Sequence, residues 1–172
     1  MATTDEKVRT GPQSRLPRIL FWLVAAALVF RIVTLVAGRG TKDEGAAGLV
    51  AWRPREKAAS AARSEGKPVL YDFTAAWCVP CHRLDTEGWG DSRVASLVNG
   101  SYLPARVVDR EREDGKNPAA IDELQRRYSV RAFPTLVVAD ADGREIAKLE
   151  GYGGKEGLVR FLEESRGKTP AR

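Results

Sequence analysis

The chain's two cysteines, Cys78 and Cys81, are separated only by Val79 and Pro80. Such a pair can make, break and exchange a disulfide when one sulfur is ionised and the other lies within reach. Residues 69–74 ahead of the pair form an apolar run suited to a central strand, and the residues after it read as helix. A thiol at that junction faces unpaired backbone N–H groups and the positive end of the helix dipole, which favour thiolate, the attacking species. Two intervening residues put the second sulfur one turn on. Pro80 fits a first-turn position, where no backbone N–H is needed, and stiffens the loop.

Other uses of two cysteines fit less well. A zinc site needs four ligands, and His82 is the chain's one histidine. A purely structural staple closing so short a loop contributes only about 2 kcal/mol in the chain-entropy model. Two inert buried thiols leave the strand-to-helix placement unexplained. Two thiolates suit Cu(I), but the chain's one methionine is Met1, so no Met-rich ligand set supports that use.

Several neighbours bear on the pair. Asp72 is an acid inside an apolar strand, a costly placement unless the carboxyl has a task. Burial is expected to raise its pKa and make it a proton acceptor for Cys81; the alternative is an inert, hydrogen-bonded strand-edge aspartate. Trp77 either packs beside the pair and shapes its surface or is a plain core residue. His82 would lie on the first helical turn, as a tuner of the thiolate or as a solvated residue. Asp85 and Glu87 read as solvated, or as caps.

The elements that position these residues follow from punctuation and periodicity. Pro54 and Gly66 bracket an Ala-rich helix over Arg55–Glu65. Helix continues through residues 82–87, Gly88-Trp89-Gly90 interrupts it, and Asp91 caps a further helix to Val98. Residues 102–109 read as a strand, 110–117 as a loop, and 118–128 as a helix with Ile121, Leu124 and Tyr128 on one stripe. Thr135–Ala139 and Glu145–Glu150 read as strands joined by a turn at Asp140-Ala141-Asp142-Gly143. Residues 155–165 close as an amphipathic helix, and 166–172 as a frayed tail. This order implies an α/β fold, a mixed central sheet flanked by helices.

Residues 19–38 are nearly all apolar, with Arg31 the one charge. A helix of that length spans roughly 30 Å, enough to cross a bilayer core. Arg31 costs roughly 2.5–3.5 kcal/mol on insertion scales, which the surrounding Leu, Val, Ile and Phe offset. A cleaved signal peptide, with an apolar region at 19–30 and Val36-Ala37-Gly38 as the cleavage site, competes with an uncleaved anchor. The apolar stretch after Arg31 favours the anchor. The chain then divides into an N-terminal tail 1–18, a transmembrane helix 19–38, a linker 39–51, a domain 52–165 and the tail.

The net charge of +5 does not mark a nucleic-acid surface. Residues 1–38 hold five Lys/Arg against two Asp/Glu, and the remainder 23 against 21. Arg126-Arg127 and Arg110/Arg112 read as ordinary solvated positions, so nucleic-acid binding is excluded. Lysines and arginines flank the apolar segment on both sides, so the charges leave its orientation open.

Asp72-Phe73, Trp77-Cys78-Val79-Pro80-Cys81 and Phe133-Pro134-Thr135 together resemble the thioredoxin superfamily over about residues 52–165. Trp52 with the Ala-rich helix into Gly66-Lys67-Pro68-Val69, residues 87–98, and Val130 through Thr135 resemble the thioredoxin-like periplasmic domains of DsbD-type thiol:disulfide interchange proteins. The resemblance implies an exposed nucleophile at Cys78, a buried resolving thiol at Cys81, the family's buried carboxylate at Asp72 and its cis-proline at Pro134. It also implies a partner-binding surface at Trp77, Val79, Pro80, Phe133 and Pro134, although Phe133 is bulkier than the residue thioredoxins often carry there. Implied too are a domain on the extracytoplasmic side of the inner membrane, disulfide-bearing protein partners, a membrane electron donor, and no metal or organic cofactor. The resemblance implies a reductant of extracytoplasmic disulfides; a net oxidase or isomerase is one alternative, and a non-enzymatic docking or Cu(I)-holding module is the other.

Overall fold

The computed structural model describes Trp22, Leu23, Ala27, Arg31 and residues 48–168. Those first four residues are helical; the rest of the expected span 19–38 lies outside the described residues, as do 1–18, 39–47 and 169–172. Among the described residues no helix is long and apolar enough to cross a membrane. The chain divides into the units Met1–Lys42 and Asp43–Arg172, and the cysteine pair belongs to the second.

The elements of that unit run α1 (Arg55–Glu65), β1 (Val69–Ala75), α2 (Val79–Arg83) continuing as a π-helical turn (Leu84–Trp89), α3 (Ser92–Ser101), β2 (Leu103–Asp109), α4 (Glu111–Asp114), α5 (Ala119–Arg127), β3 (Thr135–Ala139), β4 (Glu145–Glu150) and α6 (Lys155–Gly167). The four-stranded sheet has the order β2-β1-β3-β4. β1 lies parallel to β2 and antiparallel to β3, and β3 pairs antiparallel with β4. The sheet is mixed, with β1 at its centre.

Alternation along the strands divides the core into two layers. Val69, Tyr71 and Phe73 of β1 and Leu103, Ala105 and Val107 of β2 pack with Ala58 and Ala62 of α1 and Ile121 of α5. Leu70 of β1 and Leu136 and Val138 of β3 pack on the other side with Leu84, Trp89, Val94, Val98, Leu158 and Leu162. The intervening residues of β1 and β2 on this second face are Asp72 and Arg106. The sheet thus buries two opposite charges under the helix that begins at the cysteines.

Expectation and structure differ in several places. Helix does not stop at Gly88; it widens into a π turn through Trp89, closed by a Gly90 N–H bond to the Asp85 carbonyl at 3.0 Å. A Cβ on Gly90 would lie 2.5 Å from the Thr86 carbonyl oxygen, so glycine is required there. The expected loop 110–117 contains α4, too short for periodicity to reveal. Asp91 does cap α3, accepting from the Arg93 and Val94 N–H groups, but the helix runs to Ser101. Helix α6 takes in Arg166 and Gly167 of the expected tail. In the segment read as linker, Val50 is buried, and Asn99 bonds both the Leu49 carbonyl and the Ala51 N–H.

Candidate functional site at the cysteine pair

Strand β1 ends at Ala75, and a turn delivers Cys78 to the start of α2 as its N-cap residue. Cys78 and Cys81 are joined by a disulfide with Cα atoms 5.2 Å apart. The Cys78 sulfur accepts the Cys81 backbone N–H at 3.2 Å, and the Cys78 carbonyl accepts from Cys81 and His82. One sulfur therefore already lies against a helix-start N–H, a donor that stabilises thiolate once the disulfide opens. Pro80 occupies the first turn without depriving the helix of a bond. The His82 ring pairs with the Ala76 carbonyl at 2.8 Å, which ties the loop before the cysteines to the helix after them.

The expectation of an exposed Cys78 is corrected. Only 2% of Cys78 is exposed; it belongs to a buried cluster with Ala75 and Cys81, against which Phe133 packs. The Trp77 ring meets that of Phe133 edge-on at 5.9 Å. Trp77 is not a core residue: it is 40% exposed, and Val79 is 69% exposed. Pro80 is exposed as well. Both cysteines are therefore buried, while the apolar residues beside them in the chain are open to solvent. The Phe133–Pro134 peptide bond is cis; Pro134 is buried and its carbonyl accepts the Gly151 N–H.

Asp72 lies at the centre of β1, not at a strand edge, and is 1% exposed. Its Oδ2 accepts from Trp89 Nε1 at 3.0 Å and from Arg106 Nε at 3.2 Å. Its Oδ1 is buried without a hydrogen-bond partner. Burial is the chief cause of a pKa raised to about 6, opposed by Arg106 and assisted by the like charge of Asp85. The Arg106 guanidinium also pairs with Asp85 and lies over the Trp52 ring, 4.5 Å from its centroid. Trp52 in turn meets Trp89 edge-on at 5.4 Å.

Trp89, Arg106 and Asp85 are thus site residues that sequence reasoning missed, and Asp85 is not merely solvated. A signal for Arg106 existed: a second charge interrupting a second apolar strand, on the same alternation as Asp72. Arg112, read as solvated, stacks on Trp77 with its guanidinium carbon 3.5 Å from the ring centroid. No sequence signal marks that contact, since it depends on where α4 folds back. Among the described residues, no group of three or more His, Cys, Asp or Glu is placed to hold a metal ion.

A sheet of this order, with a cysteine pair at the first strand-to-helix junction and a cis-proline before β3, defines a thioredoxin-like domain. The chain belongs to that family: the thioredoxin-like domain family matches residues 55–166. It is 28% identical over 159 residues to the thiol:disulfide interchange protein DsbD of Yersinia pestis, a match covering 88% of this chain and 25% of that protein. The chain thus spans about a quarter of the length of the curated relatives it matches. In fold it is similar to a DsbH oxidoreductase, with TM-score 0.61 and 22% identity over 75% of this chain and 92% of that one. It is also similar in fold to the oxidised C-terminal domain of DsbD from Neisseria meningitidis, with TM-score 0.52 and 20% identity over 64% of this chain and 91% of that one.

Proposed function

We propose that the chain is a membrane-tethered thiol–disulfide oxidoreductase that reduces disulfide-bearing proteins on the extracytoplasmic side of the inner (cytoplasmic) membrane. The observation that carries the chemistry is the Cys78–Cys81 disulfide at a helix start, with the Cys78 sulfur accepting a backbone N–H. In the reduced enzyme, the Cys78 thiolate attacks a partner disulfide and expels one partner thiolate. The Cys81 thiolate then attacks the Cys78 sulfur of the mixed disulfide, releasing the second partner thiolate and re-forming the observed bond. Two electrons pass to the partner.

Asp72 accepts the proton that Cys81 must lose; its raised pKa and its unengaged Oδ1 support that role. Trp77, Val79, Pro80, Phe133 and Pro134 form the surface a partner meets. A membrane electron donor of the thiol:disulfide interchange type re-reduces the pair, and no metal or organic cofactor is required. The apolar segment 19–38 is the single membrane pass, which holds the domain near that donor; its length and composition support this. The relatives named as thiol:disulfide interchange proteins, similar over most of this chain, support the activity.

The test is reduction of a disulfide-bearing test protein, such as insulin, by the pre-reduced full chain in detergent. Cys78→Ser is expected to abolish it, and undiminished reduction by that variant overturns the proposal. Direction is read separately, by equilibrating the pair with glutathione. A potential well above that of typical disulfide reductants makes the protein an oxidase or isomerase instead.

A further inference from the structure

The coverage of Cys78 has a specific construction. Phe133 packs on the cysteine pair, the Trp77 ring meets Phe133, and the Arg112 guanidinium lies on the face of Trp77. Arg112 has acidic neighbours on both sides along the chain, Glu111 and Glu113, yet among the described residues its partner is the indole. Its place is built from below by Asp109 at the end of β2. Asp109 Oδ1 accepts the Glu111 N–H at 3.2 Å, while Oδ2 accepts from Asn117 Nδ2 at 2.7 Å and from Gln125 Nε2 at 2.8 Å. The Arg110 N–H donates to Asn117 Oδ1 at 2.7 Å, and Arg110 Nε pairs with Asp114 at 2.7 Å. A four-residue helix with no apolar face of its own is thus pinned at both ends, with one cation delivered onto Trp77.

We infer that Arg112 is a specificity-determining residue: stacked on Trp77 and through it on Phe133, it closes a cap over the disulfide that screens it from small thiols. The inference deepens the proposed exchange and rests on Cys78 as the sulfur attacked. In the step it controls, a dithiol's thiolate attacks the Cys78 sulfur, the S–S bond breaks, and Cys81 leaves as a thiolate that takes up a proton. The dithiol's second thiolate then closes on the mixed disulfide and frees Cys78. The dithiol loses two electrons and the cysteine pair gains them.

The sign of one measurement separates a cap from simple charge attraction. An attacking thiolate is an anion, so loss of a nearby positive charge by itself slows it. Loss of a cap speeds it. The probe is dithiothreitol, added to the oxidised full chain, with the freed thiols trapped by iodoacetamide and counted by mass. Arg112→Ala is expected to raise the second-order rate of reduction by about 2- to 30-fold, the range a cation–π contact of this kind spans. Arg112→Lys keeps the charge but lacks the flat stacking surface, and is expected to rise in the same direction by less. An unchanged or slower rate in Arg112→Ala overturns the inference, as does a rise there with none in Arg112→Lys. The readout needs no protein partner, so its failure leaves the proposed function standing, whereas the insulin result with Cys78→Ser tests that function alone.

Discussion

The indole Nε1 of Trp89 donates to Asp72 Oδ2 at 3.0 Å, joining the end of the π turn to the middle of the central strand. The two residues are 17 apart in sequence, and the cysteine pair lies between them. Any change in the charge of Asp72 is therefore felt by the helix that carries Cys78 and Cys81.

Asp72 should make stability depend on pH. Its pKa is raised from 3.8 to about 6, so between those values the folded chain keeps a proton that the unfolded chain gives up. The associated stability is fully present below about pH 4, is lost as pH rises through 6, and is level above. Two pKa units correspond to about 3 kcal/mol at most. Asp72→Asn, which carries no charge to desolvate, should gain on the wild type between pH 4 and 7 by about 1–3 kcal/mol. Guanidinium denaturation at a series of pH values reads the difference, and a constant offset between the two proteins contradicts it.

Trp89→Phe removes a donor to the ionised form of Asp72, so the carboxyl should titrate above 6. The substitution should also cost about 1–3 kcal/mol. Carboxyl-detected NMR titration of the oxidised chain gives the first quantity and thermal unfolding the second. A midpoint at or below 6 would show that the indole is only packing.

Arg106→Met takes away the cation shared by Asp72 and Asp85. The Asp72 midpoint should again climb, and the stability deficit should be larger at pH 8 than at pH 5, because at pH 5 the buried carboxyl can stay neutral. Breaking a buried pair from one side costs about 3–5 kcal/mol when the remaining charge cannot neutralise. Equal deficits at both pH values would place the role of Arg106 in its packing on Trp52.

Gly90→Ala should destabilise by about 2 kcal/mol or more, since the added methyl has backbone in its way and no flexible side chain that could yield. Gly100→Ala, where a Cβ would meet nothing within 4 Å, is the matched control. Equal melting temperatures for the two variants would contradict the tight closure of the π turn.

Cys81→Ser should accumulate a mixed disulfide between Cys78 and a partner protein, because attack still occurs and resolution does not. Non-reducing gels after incubation with an oxidised partner read this directly. Free partner and free enzyme in wild-type proportions would mean that a sulfur other than Cys81 resolves the complex.

Much of the fold was legible because local punctuation agreed with the tertiary outcome. Helix α1 runs over the residues that Pro54 and Gly66 bracket, and β3 and β4 occupy the two runs flanking the Asp140–Gly143 turn. What escaped depends on register and on loop return. Arg106 gains its meaning only when β2 sets it opposite Asp72, and Asp85 only when the helix lies over both. The π turn escaped because glycine signals an interruption without saying whether a helix stops or widens. The burial of Cys78 escaped because the cluster it joins is packed by Phe133, which is remote from it along the chain.

The pairing of β1 with β2 also bears on how the sheet avoids misassembly. Sliding β2 by one position would bring Arg106 into the layer occupied by Tyr71, Phe73 and Tyr128 and leave an aliphatic side chain beneath Asp72. Both charges would then be stranded in apolar surroundings. An aliphatic pair at these two positions would tolerate that slip far better. The opposed carboxylate and guanidinium therefore also act as a registration mark, singling out one alignment of two strands that are otherwise almost uniformly greasy.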